Sequence, residues 1–283
     1  MIVTDRAEEL RDLLDKARGE AKRVGLHPTM GALHGGHRAN IRKMAAECDV
    51  AAVSIFVNPL QFGPGEDFDA YPRPLDDDLA QAEEAGADLV LAPGPQFAGH
   101  PLISVRVTQL ADVLEGAARP GHFDGVATIV TKLFAIAGPC FAYFAEKDYQ
   151  QLVIVRRLVS DLCLPVVVVT CPTVREPDGL ALSSRNAYLS PGERHAAPVL
   201  YWSLLAGKRV IEEQKATDGD AVRAAMVSVA GREPLFQLDY ADVIDPSTLA
   251  GVTTVLGEVR LVIAGRIGRT RLLDNVAANA EEG

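Results

Sequence analysis

Residues 50–57 read Val-Ala-Ala-Val-Ser-Ile-Phe-Val, apolar at nearly every position instead of alternating, and Val166-Val167-Val168-Val169 repeats the pattern. A strand with one wet face alternates with period two, so an unbroken apolar run predicts a strand covered on both faces, as in a parallel sheet. Further β-like runs fall at 24–26, 87–92, 103–107, 140–145 and 165–170, and helical patterns at 38–47, 76–86, 126–137 and 148–162 separate several of them. An opening helix is expected over 5–17, with Leu10, Leu13, Leu14 and Ala17 on one face. Strands alternating with helices imply a doubly wound α/β domain whose ligand crevice lies at the carboxyl ends of the strands.

The pattern changes near residue 173. Helices are expected over 191–213 and 218–231, then short strands at 238–244, 259–264 and 271–273, which together make a small α+β unit. The chain of 283 residues therefore divides into domains 1–173 and 174–283, and Ala280-Glu281-Glu282-Gly283 reads as a frayed tail. Hydrophobic content of 48% and charged content of 23% are those of a soluble globular protein. The net charge of −10 argues against a nucleic-acid partner, which needs a basic face, and requires any anion site to be locally positive. Cys48, Cys140, Cys163 and Cys171 form no C-x-x-C pair and read as buried thiols of a reducing compartment. The first nine residues carry no apolar signal-peptide core, and no apolar run approaches the ~20 residues of a membrane span. The expected location is the cytoplasm, with no membrane partner.

Chemistry-bearing residues gather where strands end. Pro28-Thr29-Met30-Gly31-Ala32-Leu33-His34-Gly35-Gly36-His37 joins an apolar stretch to a helix. A glycine-bearing turn feeding a helix offers backbone N–H groups to an anion, and His34 and His37 could reach the same anion. For an isolated pair, two helix-start histidines with no ligand are about as expected. Phe56-Val57-Asn58-Pro59-Leu60-Gln61-Phe62 places Asn58 and Gln61 at a strand's carboxyl end, where amides can read hydroxyls and a carboxylate. Tyr71-Pro72-Arg73 precedes Asp76-Asp77-Asp78, a run that could hold Mg²⁺ or could simply favour a helix N-terminus, the better reading of the run alone. Glu115 to Gly125 is a glycine-rich loop carrying Arg119 and His122. Glu146-Lys147-Asp148-Tyr149-Gln150-Gln151 follows another strand, with Lys147 suited to phosphate and Asp148 to a cap or to ribose hydroxyls. Ser183-Ser184-Arg185, in a polar loop from Arg175 to Asn186, suits a phosphate clamp; a solvated linker is the alternative.

In order and spacing, PTMGALHxGH, FVNPxQF, YPR with its Asp run, RPGHFxGV, KDxQQL and REPDGLAxSSRNxYL closely resemble the pantoate–β-alanine ligase family. The resemblance covers about Leu26 to Leu189, and Arg271-Leu272-Leu273-Asp274-Asn275 matches the family's ending. It implies a Rossmann-like parallel-sheet domain, a smaller α+β C-terminal lid domain and a homodimer. It also implies condensation of pantoate with β-alanine through a pantoyl-adenylate, using ATP and Mg²⁺ and releasing AMP and pyrophosphate. Carried over by position, His34 and His37 contact the triphosphate, Lys147, Ser183, Ser184 and Arg185 hold phosphates, and Asp148 holds the ribose. Met30, Asn58, Gln61 and Gln151 bind pantoate, with Met30 also beside ATP. Asp77 sits near Mg²⁺, and Tyr71, Glu115, Arg119 and His122 line or support the site.

Some positions depart from the family's usual residues. Ala145 and Leu182 stand where Gly and Met are common, Gly35 replaces a frequent Glu, and Arg38 and Asn40 replace apolar residues. Another nucleotidyltransferase-superfamily enzyme acting on a small carboxylate or phosphate substrate is the alternative reading, and a non-catalytic nucleotide-binding protein is a third. The second would leave the nucleotide on its product, and the third would be expected to lack some of His34, His37, Lys147 or the Ser-Ser-Arg loop.

Overall fold

The computed structural model describes residues 1–280. It divides into two compact units, Met1–Glu146 with Gln150–Pro172, and Lys147–Tyr149 with the chain from Thr173 onward. Lys147, Asp148 and Tyr149, which the sequence pattern groups with the first domain, thus belong with the second unit.

The first unit is built on strands β1 (Ile2–Thr4), β2 (Val24–Thr29), β3 (Val50–Ile55), β4 (Leu89–Leu91), β5 (Cys140–Ala145) and β6 (Val166–Cys171). They form one sheet in the order β1-β4-β3-β2-β5-β6, and all its strand pairings are parallel. Helices α1 (Ala7–Gly19), α2 (Gly35–Glu47), α3 (Leu75–Glu84), α4 (Leu114–Ala118), α5 (His122–Ala137) and α6 (Tyr149–Asp161) occur between the strands. This is the Rossmann-like architecture, and β3 is the covered strand that its composition demands: Ala51 through Ile55 are all buried. The order reverses between β2 and β5, so the crevice of such a sheet opens at the carboxyl end of β2.

The small second unit is a meander of antiparallel strands β7 (Phe236–Ile244), β8 (Gly257–Ile267) and β9 (Thr270–Ala280). Its core gathers Leu200, Leu204 and Ile211 of helix α8 (Val199–Glu212), Met226 of helix α9 (Gly219–Ala230), and Leu261 and Ile263 of β8. The expected helix over 191–213 is two helices. A short α7 (Pro191–Ala196) ends before Pro198, whose ring removes a donor and obstructs the turn before it.

Four further expectations are corrected. Residues 103–107 form no strand; the Val105 N–H donates to the Thr128 hydroxyl (3.0 Å) and the Val107 N–H to the Asp124 carboxylate (2.8 Å), so side chains of α5 replace a ladder. β6 is an edge strand with Val167 56% exposed, not one covered on both faces. Cys163 is exposed, while Cys140 and Cys171 are buried and Cys48 is half-buried. β9 is far longer than 271–273, because Asp274 and Asn275 interrupt an apolar pattern without interrupting the ladder. Apart from Ala280, which closes β9, the expected frayed tail lies outside the described residues.

Candidate active site

The turn after β2 is held from below. Gly31 and Ala32 both take positive φ, +80° and 48°, a conformation that an alanine adopts only under constraint. The constraint is Asp78, in the first turn of α3, whose carboxylate accepts the N–H groups of Ala32 (2.9 Å) and Leu33 (2.6 Å). A Cβ on Gly31 would lie 2.7 Å from an Asp78 oxygen, so glycine is required for the carboxylate to approach. The Gly31 N–H goes to the Thr29 hydroxyl (3.2 Å), which itself donates to the Ser54 carbonyl (2.8 Å).

These bonds change what the turn offers an anion. The N–H groups of Gly31, Ala32 and Leu33 are already satisfied by protein, contrary to the expectation that the turn presents them outward. The imidazoles are the groups that could serve an anion there. The Gly36 N–H donates to Nδ1 of His34 (3.1 Å), and the His34 N–H donates to Nδ1 of His37 (3.3 Å). A ring nitrogen that accepts an N–H carries a lone pair, so each neutral ring has its proton on Nε2. The two rings lie 4.1 Å apart, which makes a pair of Nε2–H donors at the start of α2.

Behind them, His27 of β2 is buried, donates from Nδ1 to the Tyr143 carbonyl (2.8 Å) and lies 5.9 Å from the His37 ring. The acceptor is a carbonyl, so Nδ1 holds the proton and the buried Nε2 is an unpartnered lone pair. Burial pushes its pKa down to about 4.

The amide site is likewise built on internal bonds. Asn58 caps the turn 59–61, accepting the Leu60 N–H (3.2 Å), and donates to the Gln61 side-chain oxygen (3.0 Å) and the Gly125 carbonyl (3.1 Å). Both amide hydrogens of Asn58 are spent, so it orients Gln61 and has no donor left for a ligand. Gln61 in turn donates to the Met30 sulfur (3.1 Å), bringing these two expected pantoate residues together. Gly125 permits this closeness, since a Cβ there would stand 2.1 Å from the Leu60 carbonyl oxygen. Gln151 is half-buried, and its side chain makes no hydrogen bond among the described residues.

Supporting residues form a chain. His122 donates from Nδ1 to the Gln61 carbonyl (2.8 Å) and receives Arg119 at Nε2 (3.1 Å), while Arg119 grips Glu66 in a fork of 2.8 and 2.6 Å. Burial, aided by the Arg119 charge, lowers the His122 pKa to about 4. Gln150 accepts the Glu115 N–H (2.9 Å) and donates to the Leu110 (2.8 Å) and Val113 (2.9 Å) carbonyls, fixing the start of α4. Sequence reasoning missed Asp78, Glu66 and Gln150 as positioning residues. Tyr71 is buried with its ring edge-on to Phe62, and Glu115 is buried. Asp77 is exposed beside the engaged Asp78, and among the described residues no cluster of three metal-ligating side chains occurs.

The second unit carries the remaining candidates. Lys147 pairs with Asp148 at 3.2 Å. Ser183 caps the turn Ser184–Tyr188 by accepting the Arg185 N–H (3.3 Å), leaving its hydroxyl hydrogen to donate elsewhere.

A parallel α/β sheet with paired imidazole donors at its switch point has the chemistry to receive an anion there. The sequence matches the pantoate-beta-alanine ligase family over residues 2–277. A pantothenate synthetase of Rhizobium etli is 48% identical over 97% of this chain and 93% of its own length. One from Herpetosiphon aurantiacus is 48% identical over 98% and 99%. The crystal structure of pantothenate synthetase from Thermus thermophilus superposes with a TM-score of 0.92 at 46% identity, covering 98% of this chain and 99% of that one. A Francisella tularensis pantoate-beta-alanine ligase, complexed with beta-gamma ATP and beta-alanine, gives 0.81 at 31% identity over 100% and 99%. The chain belongs to the pantoate–β-alanine ligase family.

The buried histidines set an acid limit. In the unfolded chain each titrates near ~6.5, whereas the fold holds His27 and His122 neutral down to about 4. The unfolded state therefore binds more protons between these values, and stability present above pH ~6.5 falls as pH drops toward 4, by roughly 3 kcal/mol per histidine. Asp78 and Asp274, raised by burial, act in the opposite sense at the acid end. Urea midpoints measured from pH 7 to pH 5 should fall steeply for the wild type. They should fall less for His27→Asn with His122→Asn, where an amide N–H replaces the Nδ1–H; an equal slope would exclude these two as its source.

Proposed function

We propose that this protein joins pantoate to β-alanine in two steps driven by ATP. A pantoate carboxylate oxygen attacks the α-phosphorus, the bond to the α,β-bridging oxygen breaks, and pyrophosphate leaves. The β-alanine amine then attacks the acyl carbon of the pantoyl-adenylate, displaces AMP and loses its proton. The observation that carries the reading is the pair of fixed tautomers at His34 and His37. Two Nε2–H groups at one turn can donate to phosphate oxygens as charge shifts during displacement, without either ring acting as nucleophile.

Roles follow from the chemistry each side chain brings. Lys147 and Arg185 supply positive charge to phosphates, Ser183 and Ser184 supply hydroxyls, and Asp148 takes ribose hydroxyls. Gln61 and Gln151 hold pantoate's hydroxyls and carboxylate, and Met30 packs against it. Asn58, His122, Arg119 and Glu115 support these groups, and Tyr71 lines the site. Mg²⁺ would neutralise phosphate charge. With the Asp78 carboxylate already engaged by two N–H groups, the residues fit an ion held mainly by phosphate oxygens, with Asp77 as one carboxylate near it. We place the enzyme in the cytoplasm; among the described residues no helix is long and apolar enough to cross a membrane.

A homodimer is the second part of the proposal. Leu102 and Ile103 are almost wholly exposed at a bend in the chain, an apolar patch that a second copy would cover.

Three outcomes are expected. Pantoate should promote exchange of labelled pyrophosphate into ATP without β-alanine, and AMP should appear only once β-alanine is added; a folded protein without exchange is not this ligase. His37→Ala should stay folded, with a melting temperature lowered only by the lost cap of the His34 N–H, and lose at least about a hundredfold in turnover, on the scale of one lost transition-state donor; survival within a few-fold removes the role assigned to that ring. Light scattering should give a dimer mass for the wild type and a monomer for Leu102→Asp with Ile103→Asp, and a dimer in both would move the interface elsewhere.

A further inference from the structure

Asp274 and Asn275 are each only 4% exposed, two buried polar residues side by side on β9, an edge strand of the three-stranded sheet. Burying a polar side chain costs free energy that its hydrogen bonds must offset. Their partners are the two segments to which phosphate contacts are assigned above, and the following inference rests on that assignment.

Asp274 receives the Arg175 guanidinium in a fork of 2.5 and 2.9 Å. Arg175 also donates to the Asn275 carbonyl (3.2 Å) and the Gly179 carbonyl (3.0 Å) and stacks 4.1 Å from the Tyr201 ring. It thereby ties a tight hairpin to β9. The hairpin is closed by the Glu176 N–H on the Leu180 carbonyl (2.8 Å) and the Leu182 N–H on the Val174 carbonyl (2.9 Å), and its second arm leads directly into Ser183. Asn186 completes the join by donating to the Ala181 carbonyl (3.0 Å).

Asn275 reaches the other segment. Its side-chain N–H donates to the Lys147 carbonyl at 2.8 Å. Two residues on, the Tyr149 hydroxyl donates to the Pro246 carbonyl (3.0 Å), and the Arg260 guanidinium covers the Tyr149 ring at 4.0 Å. The segment 147–149 is thus fastened within the second unit by the Lys147 carbonyl and the Tyr149 side chain.

We infer that Asp274 and Asn275 are positioning residues for phosphate binding, setting Lys147 and the Ser183-Ser184-Arg185 loop from adjacent positions of one strand. A lysine ammonium on a four-carbon stem is directed only as well as its backbone is fixed, and small misplacements of such groups cost rate. Asp274 is unsuited to a clean test, because removing one partner of a buried ion pair endangers the fold. Asn275 offers a neutral deletion.

The experiment uses the full chain and pantoate-dependent pyrophosphate exchange, comparing wild type with Asn275→Ala. The KM for ATP should rise about tenfold with a fall in kcat, while the KM for pantoate stays at the wild-type value. A purely structural role would lower kcat with the folded fraction and leave both KM values alone. An unchanged KM for ATP, or equal rises in both, overturns the inference. Should Asn275→Ala not fold, Asn275→Ser, whose hydroxyl is too short to span to the Lys147 carbonyl, is read in the same way. Absence of exchange in the wild type would instead overturn the ligase reading itself.

Discussion

One buried carboxylate governs the first unit. Asp78 binds the N–H groups of Ala32 and Leu33, and this pair of bonds holds a non-glycine residue at positive φ. The approach is possible because Gly31 has no Cβ. With the turn closed in this way, α2 starts at a fixed point and the His34–His37 cap can form. The cap decides the tautomers, and the tautomers decide which ring atoms can serve a ligand. Asp78 therefore acts on these ring atoms through the turn, the cap and the tautomers.

The same economy appears in the amide half of the unit. Asn58 and His122 converge on Gln61, one on its side chain and one on its carbonyl, and Arg119 with Glu66 closes the chain behind His122. Both rings that are buried here, His27 and His122, are kept neutral by desolvation. A buried imidazolium would need a carboxylate partner, and an additional anion near the site would repel a triphosphate. Neutral imidazoles orient their neighbours without adding charge. The protein's net charge of −10 thus coexists with a site whose offered groups are N–H donors and a few cations.

Much of the frame was legible because it rests on local pattern. The unbroken apolar run of β3 announces a covered strand, and the strand at 140–145 is found where its composition places it. What failed was long-range. β1 has three residues and no pattern of its own, and Val167 reads as buried although β6 has no neighbour on one side. The Asp run shows the limit most clearly. Asp76, Asp77 and Asp78 are equivalent as letters, and only the helix rotation and a contact 45 residues away single out Asp78. Glu66, Gln150 and Asn275 were missed for the same reason, since each acts on a segment distant in sequence.

The engaged polar residues also separate two ways of serving a ligand. Gln151 has an amide with no protein hydrogen bond among the described residues, and Ser183 retains a hydroxyl hydrogen; such groups can be given to a ligand at no internal cost. Asn58, Gln150 and Asp78 have theirs committed, and using them would leave buried backbone groups unpaired, at ~1–3 kcal/mol each. Sorting residues by what remains uncommitted therefore moves Asn58 from the ligand-binding set that its motif suggests into the supporting set. Gln61 accepts Asn58 at its side-chain oxygen and gives one amide hydrogen to the Met30 sulfur, a weak acceptor that a ligand oxygen could replace. That replacement favours binding, because a thioether is a poorer partner for an amide N–H than any oxygen pantoate would bring.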